Sequence, residues 1–119
     1  CEHAFTRKGP PPVRLAEASW RAPVAPGRET GVARVVGDGL RALDVRDGDH
    51  VLLARRARAE HGDLAAVLDE EERAWLWKVY PTEDDRLRLS MGHPGLERVS
   101  APHPRVQGVV IAVLRRLGS

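Results

Sequence analysis

The chain has 119 residues, the size of one domain with a single core. Hydrophobic residues make up 42%, as in soluble globular chains, and no apolar run approaches the roughly 20 residues of a membrane helix. The net charge of +2, from 19 basic and 17 acidic residues, argues against a dominant nucleic-acid surface, where a basic stripe is expected. Cys1 is the only cysteine, which excludes an intrachain disulfide, and Lys8 and Lys78 are the only lysines in an arginine-rich chain. With no initiating Met and no signal peptide, the chain is expected to be a piece or processed product of a longer one.

Residues 1–12 end in Gly9-Pro10-Pro11-Pro12. Consecutive prolines favour extended polyproline geometry, so this stretch is expected to be a linker or tail, or a tether to a neighbouring surface. Cys1 and His3 lack a partner pair and make a poor zinc site. From Val13 to Ala22 alternation is only loose, and Pro23 and Pro26-Gly27 then punctuate the chain. Thr30–Val36 is apolar and β-branched enough for a strand, broken by Gly37-Asp38-Gly39. Without a following Lys-Ser/Thr, that turn is not a phosphate loop. Asp47-Gly48-Asp49 marks another turn before an apolar run to Ala54. It lacks the spacing and closing glutamate of a calcium loop, and a solvated turn is expected. Arg55, Arg56 and Arg58 read as a solvated face.

Gly62-Asp63 opens Leu64–Leu68, and the charge run Asp69–Glu72 limits it to strand length. In the next strand, alternation puts Arg73, Trp75, Trp77 and Val79 on one side, and Ala74, Leu76, Lys78 and Tyr80 on the other. Thr82–Asp85 is a turn, and Arg86–Met91 completes a hairpin. His93-Pro94-Gly95 turns again, and the β-branched run Arg105–Arg116 is the clearest strand.

Val35-Val36-Gly37-Asp38-Gly39-Leu40, the Asp47-Gly48-Asp49 turn with its apolar strand, the strand carrying Lys78, His93-Pro94 with Leu96, and the glycine-led closing run occur in an order that resembles the LexA, UmuD and phage-repressor family of self-cleaving domains. The resemblance covers about residues 29–117. It implies a mostly β fold of bent, coiled sheets with little helix. Residues 1–12 are then a linker or tail, 13–28 a divergent cleavage-segment region and 29–119 the peptidase-fold domain. It also implies a serine–lysine dyad. Serine is a weak nucleophile until a base takes its proton, and lysine can be that base only when neutral. Lys78 matches the family lysine and is identified by that match as a vestigial general base. The serine position holds Gly39 and the following methionine position holds Leu40, so Gly37, Asp38 and Leu40 line a site without its nucleophile.

The cleavage dipeptide, commonly Ala-Gly or Cys-Gly in the family, is also missing; Ala25-Pro26-Gly27 interposes a proline. Ser90-Met91 repeats the family dipeptide elsewhere, but no lysine follows it. Ser19, Thr30 and Cys1 have no identifiable base. Gly39 is expected to hold φ > 0, which serine would adopt only at about 1 kcal/mol.

The leading expectation is a non-cleaving domain serving as the dimerisation or signal-receiving module of a transcriptional regulator. The resemblance implies a cytoplasmic homodimer, with the Val106–Leu117 strand at the interface and DNA reached only through a separate domain. No cofactor, metal, small-molecule ligand or membrane contact is expected. The alternative is a serine–lysine peptidase inactivated at Gly39 or using another nucleophile. An unrelated all-β domain that binds a partner is a third possibility.

Overall fold

The alternating apolar stretches become strands. A computed structural model describes residues 12–21, 29–92 and 97–115. Expectations for Cys1, His3, Pro10-Pro11, Ala25-Pro26-Gly27 and His93-Pro94 fall outside them. The strands are β1 (Val13–Arg21), β2 (Thr30–Val36), β3 (His50–Ala54), β4 (Leu64–Leu68), β5 (Ala74–Pro81), β6 (Leu87–Ser90), β7 (Arg98–Val99) and β8 (Arg105–Leu114). Among the described residues, helix is confined to a single 3-10 turn at Arg41–Leu43. The mostly β expectation holds.

The strands pair antiparallel in the order β1-β2-β3-β8-β4-β5-β6-β7, and a further β1–β5 pairing joins the two ends of its first six strands. Those six form a closed circuit, with β6 and β7 extending from β5. The circuit buries a core in which Val13, Val35, Leu40, Leu53, Leu76 and Val79 are wholly inaccessible.

Two features depart from the sequence expectations. The loose alternation of residues 13–22 gives no strand signal, yet Val13–Arg21 is a nine-residue strand. Its register shifts between Ala16 and Ser19, and Glu17 takes φ 57°. A bulge of this kind reverses the inward–outward phase, so the alternation breaks although the pairing continues. The arginine cluster is also more than a solvated face, because the Arg55 guanidinium lies 4.2 Å from the Trp20 ring centroid and pairs with Glu29. Beneath it, Trp20 covers two glycines. A Cβ on Gly31 would come within 2.6 Å of the indole, and one on Gly108 within 2.8 Å of the Ala54 carbonyl oxygen. Their missing side chains let the indole lie across β2 and reach β8.

β8 is a central bridging strand. Residues 105–109 pair with β4 and residues 109–114 with β3.

Candidate functional site

The Gly-Asp-Gly and Asp-Gly-Asp turns are knitted together by backbone groups. Val35 N–H donates to the Asp49 carbonyl (2.7 Å), and Gly48 N–H donates to that of Val35 (2.8 Å). Gly37 N–H donates to Asp47 Oδ1 (2.8 Å), and Asp47 N–H donates to Asp38 Oδ1 (3.1 Å). Asp38 and Asp47 thus satisfy amides that the turns would otherwise leave unpaired. Gly37 holds the left-handed conformation, at φ 114°, and Gly39 does not. The expected positive φ belongs to the first glycine of the turn. Gly39 is buried, and Leu40 is wholly buried in the core.

Asp49 corrects the expectation of a solvated turn. Its side chain is 6% exposed and accepts two bonds from Arg115, at 3.2 Å from Nε and 3.0 Å from Nη2. Arg46 N–H donates to the same carboxylate at 2.9 Å. Hydrogen bonding to Arg115 holds the Asp49 carboxyl below its ordinary value against the opposing effect of burial, with the Arg46 amide assisting. Arg115 also donates to the Asp44 carbonyl (2.8 Å), so the chain just after β8 clamps the turn that follows Gly39. Sequence reading missed this pair because its members lie 66 residues apart.

Lys78 is on β5, opposite Leu64 of β4 and Ser90 of β6. It is half-buried, with Nζ 6.0 Å from the Tyr80 ring centroid. Tyr80 also meets His61 edge-on at 4.7 Å and the Arg88 guanidinium at 4.9 Å. Two routes of contact lead from this strand toward the Gly39 turn. Leu76, two residues before Lys78, pairs with Val13. Val13 Cα lies 3.8 Å, and the Pro12 carbonyl oxygen 3.7 Å, from where a Cβ on Gly37 would stand. On the other side, Ser90 leads through Met91 to Gly92, where a Cβ would lie 3.0 Å from the Leu43 side chain of the 3-10 turn. Ser90 is 5% exposed, and its Oγ accepts the Gly92 N–H at 3.0 Å.

An apolar groove of about 670 Å³ lies elsewhere, lined by Trp75, Trp77, Val67 and Leu89 among others. Its tryptophans alternate along β5 with Leu76 and Lys78, so it opens on the opposite face of that strand. At its rim Asp69 organises the β4–β5 turn, accepting from Glu71 N–H (2.8 Å), Arg73 N–H (2.9 Å) and Trp75 Nε1 (2.9 Å). Burial pushes the Asp69 carboxyl up, but the bonds from Trp75 and Arg73 outweigh it and leave it below the ordinary value. Among the described residues, no group of three or more His, Cys, Asp or Glu side chains is placed to hold a metal ion. No helix there is long and apolar enough to cross a membrane.

No protein-family model matches the chain. It is similar to several LexA repressors. That of Syntrophotalea carbinolica is 34% identical over 92 residues, covering 74% of this chain and 44% of the repressor. That of Herpetosiphon aurantiacus is 38% identical over 88 residues, covering 71% and 41%. That of Bacillus pumilus is 26% identical over 93 residues, covering 78% and 45%. The chain therefore spans less than half the length of these curated relatives. The similarity covers most of the chain, and the architecture is the almost wholly β one expected from its ordered motifs: the chain belongs to the LexA repressor family as a LexA-like C-terminal domain.

Proposed function

We propose that this domain is a non-cleaving LexA-like module, the dimerising or signal-receiving part of a transcriptional regulator whose DNA contacts are made by a separate domain. The observation that carries this reading is Gly39. Glycine offers no nucleophile at the position matched to the family serine, while Lys78 remains at the position matched to the lysine. In a different serine protease, losing the nucleophile costs about 10⁶ in rate. A buried glycine and a buried Leu40 still complete the core, so the fold outlives the chemistry.

Dimerisation is supported by the far half of β8. Ile111, Val113 and Leu114 are 52%, 38% and 50% exposed. β4 pairs with β8 only up to Val109, so that edge has no partner strand over residues 110–114 among the described residues. Apolar side chains beside unpaired backbone groups suit a second copy.

The test is to hold the chain at about pH 7 and about pH 10, the latter near the ordinary lysine value. Intact mass is followed over a day, and sedimentation is measured in parallel. An unchanged mass and a dimer are expected; fragments from a single bond, or a monomer at high micromolar concentration, would reject the corresponding half of the proposal.

The second reading, a peptidase with another nucleophile, is favoured by one observation: Ser90 and Lys78 are cross-strand partners. If fragments appear and Ser90→Ala abolishes them, that reading replaces the first.

A further inference from the structure

We infer that the cations gathered around Tyr80 form a binding site for a small molecule that carries a phosphate group. Lys78 Nζ lies 6.0 Å and the Arg88 guanidinium carbon 4.9 Å from the Tyr80 ring centroid, and the His61 ring meets it edge-on at 4.7 Å. Pairing of the strands enforces this grouping. Lys78 and Tyr80 stand two residues apart on β5, and β6 sets Ser90 opposite Lys78 and Arg88 opposite Tyr80. Directly opposed residues share a face, so all four side chains belong to one side of the sheet. His61 joins them from the β3–β4 loop, whose Gly62 N–H donates to the Val79 carbonyl at 2.8 Å.

Packing does not account for this arrangement. Each cation gains from the ring face, but like charges side by side oppose their own grouping. Among the described residues one carboxylate answers them: Glu97 accepts from Arg88 Nε at 3.1 Å. Glu60 and Asp63 flank His61, yet neither enters an ion pair, and Asp63 is engaged with the Glu60 N–H at 2.8 Å.

The hydrogen-bond donors are equally unspent. Among the described residues no acceptor takes a hydrogen from Lys78 Nζ, the Tyr80 hydroxyl or the two Nη atoms of Arg88. Ser90 is 5% exposed; its Oγ accepts the Gly92 N–H, and its own hydrogen has no described acceptor either. Buried hydroxyls ordinarily spend that hydrogen.

Such donors suit an anion rich in acceptor oxygens. A phosphate monoester brings about −1.5 to −2 charge near pH 7 and three acceptor oxygens, whereas a carboxylate brings one charge and two oxygens. The guanidinium fork can grip two phosphate oxygens while the ammonium acts as a point charge. This deepens the signal-receiving reading, on which it rests because that reading frees Lys78 from proton transfer: it names the chemistry of the signal.

The experiment titrates the full 119-residue chain with inorganic phosphate and, separately, with acetate at constant ionic strength. Binding is followed by calorimetry and by amide shifts of isotope-labelled protein. Phosphate is expected to shift residues 61, 78–80 and 88–90 and to bind at least about tenfold more tightly than acetate. Lys78→Met and Arg88→Gln should each weaken phosphate binding about tenfold or more. Arg14→Gln, which removes an exposed arginine paired with Trp75 on the other face, should leave it unchanged. Far-UV circular dichroism checks each fold, and Lys78→Met suffices if Arg88→Gln, which loses Glu97, does not fold. No binding by the wild type up to about 10 mM phosphate would overturn the proposal. Equal binding of acetate, or equal weakening by Arg14→Gln, would do the same. These readouts depend on neither cleavage nor dimerisation, so failure here is distinct from failure of the proposed function.

Discussion

The turn at Gly39 and the strand at Lys78 are held in place by different forces. Carboxylates and amides knit the turn, and the Asp49–Arg115 pair ties it to the end of β8. The strand is held by burial: Leu76 and Val79 are inaccessible and Trp77 is 4% exposed. Polar clamps depend on protonation and geometry, whereas apolar burial depends on area and fit. The strand that carries Lys78 is thus held by packing, and a change of side chain in the turn leaves that packing in place.

The largest effect should come from the packed strand. Leu76→Ala removes a wholly buried side chain between β1 and β4 and should cost about 2–5 kcal/mol. Urea denaturation should show this loss unchanged between about pH 5 and 8, because no ionisable group is removed. A strongly pH-dependent loss would erase the contrast between the two regions.

Arg115→Ala should cost less, because its side chain is 38% exposed and solvent screens the pair, although Asp49 is then left with the Arg46 amide. This loss should depend on pH. The folded-state value of Asp49 lies below the ordinary 3.8, so the pair stabilises above that value and ceases to do so as pH falls through the lowered one. Melting temperatures of wild type and variant should differ at neutral pH and converge in acid. A constant difference down to about pH 2 would mean that Arg115 acts by packing.

Lys78→Met should change stability by no more than about 0.5 kcal/mol, since the side chain is half-buried beside Tyr80 and takes part in no ion pair among the described residues. A loss of several kcal/mol in urea would make Lys78 a structural residue.

The smallest expected effect is on self-cleavage. Gly39→Ser should yield almost none over a day at about pH 10, because cleavage needs a nucleophile, a neutral base and a scissile bond held about 3 Å away. The substitution supplies only the nucleophile, and residues 13–27 contain no Ala-Gly or Cys-Gly pair. Rapid cleavage at one bond, read by intact mass, would show that only the serine had been missing.

Local pattern by itself determined most of the strands. Thr30–Val36 and Leu64–Leu68 coincide with the expected runs, and the alternation along β5 separates Trp75 and Trp77 from Leu76 and Lys78. The period of two is a property of neighbouring residues, so it is legible without partners. The order of the family motifs was legible for the same reason. Tertiary structure decided what depends on distant residues. The bulge at Glu17 hid β1 by reversing its phase, and only pairing with β2 and β5 reveals it as the strand that closes the circuit. Arg115 buries Asp49 from the far end of the chain, and Trp20 explains Gly31 and Gly108 through a contact across the sheet. Such contacts are set by register and closure of the whole sheet, which no short window of sequence contains.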